Sequence, residues 1–199
     1  MRYRLLCLVA VAAASLLWPA ASPAATFKID PAHTNVTFRV RHLFTMVTGR
    51  FNKFEGRIVF DESKPLETKV DGTIDVASIN TDNEKRDEHL RSADFFDVER
   101  FPKITFSTSK VTDVDYTKKT AKLHGSLTMH GVERSAVLEA AFLGMGKDPW
   151  GKQRAGFRCS TTVDRKDFGL NWNKTLETGG VLVGDEVEIE IDIEAILEQ

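Results

Sequence analysis

The densest grouping of residues able to do acid, base or ion-pair chemistry is Arg86-Asp87-Glu88-His89-Leu90-Arg91-Ser92-Ala93-Asp94, which runs directly into Phe95-Phe96. His89 with Asp87 or Asp94 has the makings of an acid and base pair. The same cluster, Arg86, Asp87, His89, Arg91 and Asp94, can instead rim an apolar cavity, holding a ligand's head group while Phe95 and Phe96 touch its tail. A third reading needs no function: a solvated helix face with ion pairs at helical spacing. The residues alone leave all three open.

Elsewhere the chemistry is sparse. The five histidines are His33, His42, His89, His124 and His130, and none has a spacing that would set two imidazoles on one helix face for zinc. No metal site is expected. There is no phosphate-cradling glycine loop, nucleophile elbow or paired-cysteine motif. Of the two cysteines, Cys7 lies in a leader-like segment. Cys159 sits in a strand-like run, where a small half-buried hydrophobe is the simpler reading than a nucleophile. With 27 basic and 29 acidic residues intermixed, no electrostatic footprint for a nucleic acid or an anionic membrane stands out. No catalytic constellation emerges from these patterns, and none of them names a cofactor.

The elements that must position these residues begin after a leader. Arg2 and Arg4 precede an apolar run from Leu5 to Trp18, and Ser22-Pro23-Ala24 supplies small residues for a peptidase. Residues 1–24 therefore read as a secretory signal peptide cleaved after Ala24, leaving residues 25–199 as one exported domain with no stable membrane anchor. A single remaining cysteine cannot close an intrachain disulfide, so packing must supply the stability.

The mature chain alternates. Val187, Ile189, Ile191, Ile193 and Ala195 interleave with Glu186, Glu188, Glu190, Asp192 and Glu194, giving one apolar and one acidic strand face. The acidic face keeps the strand soluble, and it is a candidate homodimer surface. Similar runs at 36–40, 54–60, 70–79, 104–111, 121–129, 136–142 and 156–163 bring the number of strands to eight, joined by turn residues such as His130-Gly131, Asp148-Pro149-Trp150-Gly151 and Gly179-Gly180. An eight-stranded antiparallel barrel removes exposed edges and can hold one apolar ligand; a two-sheet sandwich fits the alternation equally well. Thr81 to Asp97 breaks the rhythm and reads as short helical turns, with Thr81 or Asp82 as N-cap and Leu90, Phe95 and Phe96 as anchors.

These blocks together resemble the YceI family of exported, lipocalin-like polyisoprenoid-binding proteins. The resemblance is carried by Asp30-Pro31-Ala32-His33-Thr34, Gly49-Arg50-Phe51, Phe54-Glu55-Gly56, the stretch from Thr81 through Arg86-Asp87-Glu88-His89-Leu90 to Ile104-Thr105-Phe106, Gly125 to Val132, Asp148 to Gly151, Asp167-Phe168-Gly169 and Val183 to Val187. It implies a periplasmic eight-stranded barrel whose interior takes a long isoprenoid chain or similar amphiphile, such as a quinone, without catalysis. The expected apolar lining is Phe38, Val40, Phe60, Ile74, Phe106, Leu127, Phe142, Ile189 and Ile191, with Phe95 and Phe96 near the mouth. Strands of about nine residues tilted by about 40° make a barrel only ~23 Å tall. Two alternatives stand beside the carrier: an enzyme acting on such a lipid, and an interaction or stress protein whose barrel is filled by its own side chains.

Overall fold

The structure is a computed structural model that describes residues 24–176 and 179–198, so the leader expected over residues 1–24 lies almost wholly outside the described residues. Among the described residues, eleven strand segments are hydrogen-bonded into one antiparallel sheet: β1 (Ala25–Ile29), β2 (Asn35–His42), β3 (Thr45–Phe51), β4 (Phe54–Phe60), β5 (Lys69–Asp75), β6 (Ile79–Asn80), β7 (Lys103–Asp115), β8 (Thr120–Met129), β9 (Val132–Lys147), β10 (Gln153–Asp164) and β11 (Val183–Leu197). A helix, α1 (Glu84–Arg91), lies between β6 and β7.

The register reduces these segments to eight barrel strands. Along β11, β2 covers Val183 to Asp192 and β1 covers Ala195 to Leu197, so β1 and β2 are two halves of one strand interrupted by the 30–34 turn. In the same way β3 pairs with β2 while β4 pairs with β1, and β6 pairs with β3 while β5 pairs with β4. The β1 to β11 pairing closes the circle, which rules out the open sandwich. The halves β1 and β3 escape the alternation because β1 is short and Gly49 interrupts the inward face of β3. The glycine makes room for its neighbour: a Cβ at position 49 would stand 2.3 Å from Phe38 Cζ, so a larger residue would have to displace that ring.

The barrel is also taller than nine-residue strands would make it. The strands β7 to β11 run from 10 to 16 residues, which at the same tilt gives about 30–40 Å for the longer ones. Strand directions define two ends. One end gathers the β2–β3 turn, the β6–α1–β7 connection, the His130-Gly131 turn and the segment between β10 and β11. The opposite end gathers the β4–β5, β7–β8 and β9–β10 turns. His130 and Gly131 both have positive φ, 51° and 73°, as the two-residue hairpin there requires.

The acidic row of β11 is answered within the chain. Arg158 Nε lies 2.6 Å from Asp192 and 3.6 Å from Glu190, and Arg39 lies 3.5 Å from Glu188. Arginines on the two neighbouring strands thus offset part of the charge of this face. A tighter ionic knot closes the opposite end, where Arg154 donates to Asp148 Oδ2 at 2.8 Å, Asp30 Oδ2 at 2.7 Å and Glu194 Oε1 at 2.5 Å. His33 Nδ1 also contacts Asp30 Oδ2 at 2.8 Å. Asp30, His33 and Glu194 come close enough to resemble a metal cluster, but the cation between the two carboxylates is the guanidinium.

The hydrogen bond from Arg154 is the largest reason that the Asp30 carboxyl is held down at about 2, and the same guanidinium lowers Asp148. A carboxyl depressed in the folded state contributes stability above its unfolded pKa, and that contribution is lost as pH falls toward the folded value. Stability should therefore drop between about pH 4 and pH 2, and Arg154→Gln should make this drop shallower while lowering stability at neutral pH. Urea midpoints measured across that range check it; parallel slopes for the two proteins would refute the assignment.

Candidate functional site

Side chains do not fill the barrel. Toward the β2–β3 end there is an internal cavity of about 400 Å³ with a predominantly aliphatic and aromatic wall. Phe38, Val40, Ile74, Phe106, Leu127, Ile189 and Ile191 line it from the strands, and Phe95 and Phe96 from the segment after α1. The apolar row of β11 divides by depth: Val187, Ile189 and Ile191 border this cavity and are only half-buried, whereas Ala195 is fully buried in close packing. Phe60 and Phe142 lie elsewhere. They line a second cavity of about 240 Å³ toward the opposite end. There they pack with Phe157, with ring centroids 4.8 to 5.5 Å apart. Alternation tells which face a residue takes and not how far along the barrel it falls.

The two cavities share three wall residues, Val70, Cys159 and Ile193, which form a partition between them. Cys159 is buried, and the loss of solvation pushes its thiol up to about 12, so it acts as a small apolar wall group and not as a nucleophile. At the second cavity, Lys119 lies 5.2 Å from the Phe142 ring centroid and 2.8 Å from Glu62.

The polar cluster of α1 separates into distinct roles. Of its five polar candidates, Arg86 and His89 border the main cavity. His89 sits edge-on to Phe95 and Trp172, with centroids 5.0 and 4.8 Å away, and contacts the exposed Asp94 at 3.0 Å. Asp87 and Arg91 face the barrel wall. Strand β6 has no strand partner on its β7 side, because the β5–β7 ladder ends at Asp75 and Lys103, with one further bond from Val76 N to Pro102 O. The backbone groups beyond that point need other partners. Arg91 donates to Ala77 O at 2.8 Å and Ile79 O at 2.6 Å. Arg86 donates to Thr81 O at 2.8 Å and Thr81 Oγ1 at 2.7 Å. Asp87 accepts from Thr81 N at 2.8 Å and Thr81 Oγ1 at 2.5 Å. The helix thus completes the wall with side chains where a strand is missing.

The same geometry moves the helix cap. Asn83, and neither Thr81 nor Asp82, accepts the amide of Arg86, because the Thr81 hydroxyl is engaged by Asp87 and Asp82, at φ 57°, pairs with Arg50. Several lining groups carried no signal of their own in the sequence. Trp172, Leu170 and Leu182 lie on the irregular segment before β11, where no period marks an inward face. Arg165 is buried beside the cavity, its guanidinium spent on Gly184 O, Leu170 O and Asp185, and burial lowers its pKa.

An antiparallel barrel closed around an apolar cavity, with a few polar groups near one end, defines a small-molecule-binding barrel. More specifically, the chain belongs to the YceI family: the YceI-like domain matches residues 27–195. A UPF0312 protein of Shewanella baltica is 41% identical over 166 residues, covering 82% of this chain and 86% of the relative. One from Pseudomonas aeruginosa is 39% identical over 193 residues, covering 95% and 96%. Among solved structures, the YCEI protein of Campylobacter jejuni is 34% identical with a TM-score of 0.68, covering 85% of this chain and 96% of its own. BcnA of Burkholderia cenocepacia shares the fold at 23% identity and a TM-score of 0.74, over 84% and 99%. A polyisoprenoid binding domain from Saccharophagus degradans shares it at 16% identity and 0.63, over 88% and 99%.

Replacing Asp87 with Ala leaves the buried Thr81 amide and hydroxyl without their acceptor, and Arg91→Leu strips two carbonyls. Each should cost about 1–3 kcal/mol in urea unfolding. Asp94→Asn, on an exposed side chain, should stay within about 0.5 kcal/mol. Equal losses for all three would mean that the cluster is a surface network and not a wall.

Proposed function

We propose that this protein is a noncatalytic carrier or store for a long-chain amphiphilic lipid of the polyisoprenoid class, an isoprenoid quinone being one candidate, in the periplasm. The observation that carries the reading is the apolar cavity of about 400 Å³ inside a closed barrel, with Arg86 and His89 on its border. A volume in this range suits one ligand. At ~0.8 kcal/mol per buried CH₂, enclosing even a few isoprene units offers ample gross driving force, much of which is offset by ordering the chain. The cavity speaks against a barrel filled by its own side chains, and the shared fold of the Saccharophagus polyisoprenoid binding domain supports the choice of ligand class.

In this reading the tail lies along Phe38, Phe106, Leu127, Ile189 and Ile191, and the head group rests near Arg86 and His89. Asp87 and Arg91 contribute by holding the helix that presents those two. Their engagement with backbone groups also favours binding over acid–base turnover, since Asp87 has its carboxylate committed to Thr81. The leader-like residues 1–24 support export, and among the described residues no helix is long and apolar enough to cross a membrane.

Mass spectrometry of an organic extract from gently purified protein should find a lipid in stoichiometric amount. Ile191→Trp, which puts an indole into the cavity, should reduce bound lipid several-fold while leaving the circular dichroism spectrum of the barrel intact. Repeated failure to extract any lipid, together with unchanged loading of Ile191→Trp, would defeat the carrier reading.

A further inference from the structure

We propose that the β2–β3 turn is the surface through which this barrel docks on an anionic phospholipid bilayer, with Phe44 entering the interface. The proposal rests on the carrier reading for its purpose, since a cargo of this class is dissolved in membranes, but the contact itself is tested separately. His42 pairs with Thr45, so Leu43 and Phe44 are a two-residue hairpin turn. Such turns favour Asn and Gly because positive φ is needed, and here Leu43 takes φ 52° instead. Phe44 is 96% exposed, the most exposed of the large hydrophobic residues among those described, and Met46 beside it is 38% exposed. A turn built against its own conformational preference to hold an aromatic ring in water has no packing explanation.

Charge points to the partner. Residues 35–51 hold Arg39, Arg41, Arg50 and His42 and no acid, in a chain with more acidic than basic residues overall. Arg39 and Arg50 have acidic neighbours on adjoining segments, Glu188 and Asp82. Arg41 is exposed, close enough to Asp185 to help lower that carboxyl, and directed at the turn, donating to Leu43 O at 3.0 Å. An aromatic tip with a guanidinium directed at its turn, on a hairpin that carries no acid, is the chemistry that favours the interface of an anionic bilayer. Position agrees: His42 and Val47, the residues bounding the turn region, both line the main cavity, so a membrane touching Phe44 lies beside the end of the barrel that holds this cavity. The exposed Trp150 occupies the opposite end of the barrel and serves as the control.

The test is co-sedimentation with vesicles of phosphatidylcholine containing phosphatidylglycerol, using the protein in the form its producing cell makes. Phe44→Ser, Arg41→Gln and Trp150→Ser are compared with it, so any contribution of the shared N-terminus cancels. The parent protein should sediment with the vesicles, and Phe44→Ser should lower the bound fraction at least about fivefold. Arg41→Gln should lower it on anionic vesicles and weaken its salt dependence, and Trp150→Ser should leave it unchanged. Phe44→Ser should still load lipid offered in detergent, which separates loss of docking from loss of cargo binding. Vesicle binding that needs Phe44 in a protein that never loads lipid would support the docking and sink the carrier reading alone. The docking proposal is overturned if the parent does not bind vesicles, if Phe44→Ser binds as the parent does, or if Trp150→Ser falls as far. It is also overturned if Phe44 proves to drive self-association in solution with no vesicle binding.

Discussion

The structure depends on how the free edge of β6 is satisfied. Seven of the eight junctions in this barrel are ladders along which backbone donors and acceptors meet each other; the eighth begins as one, between β5 and β7, and then fails. An unpaired edge inside a barrel wall carries the desolvation cost of each orphaned group and invites foreign strands. Arg86, Asp87 and Arg91, spaced so that one face of α1 presents all three, supply the missing donors and acceptors to Ala77, Ile79 and Thr81. Phe95 and Phe96, on the segment that follows α1, line the cavity beside this break, and Trp172 meets Phe95 there from the segment before β11. A cavity with an aromatic corner and a cationic border follows from that one substitution of side chains for backbone.

This arrangement explains why the charged block is the most ambiguous part of the sequence. As a string, Arg86 to Asp94 serves equally well as a solvated helix face, a ligand rim or an acid–base site, because helical spacing fixes which residues are neighbours and says nothing of what lies opposite. Of its five polar candidates, Arg86 and His89 border the cavity, Arg86 also joins Asp87 and Arg91 in completing the wall, and Asp94 is exposed. What lies opposite is a strand of two residues, Ile79 and Asn80, too short to leave a periodic mark. The membership of the block in a recurring family pattern is legible; the physical reason for the pattern is not.

The barrel itself is more transparent. Period-two alternation locates the long strands and their inward faces, and the turn residues His130-Gly131 and Asp148 to Gly151 fall between strands as expected. It fails where barrel strands are broken into halves, since neither β1 nor β3 is long enough or regular enough to alternate visibly. Closure is equally invisible, because the β1 to β11 pairing joins the two ends of the domain and leaves no local trace. Of the eleven apolar residues expected to line one cavity, nine do, and Phe60 and Phe142 line the other. Their inward orientation is read from parity, while their height depends on register, which only the assembled sheet supplies.

The partition of Val70, Cys159 and Ile193 gives the interior a property that a single open shaft would lack. A guest whose tail stops short of these three side chains gains nothing from the lower chamber, and each added carbon up to that level is rewarded at the same rate. One carbon further, the guest must shoulder the constriction aside before any new surface is covered. Affinity would then rise with tail length as a staircase and not as a ramp, and a change in the size of residue 159 would move the height of the step.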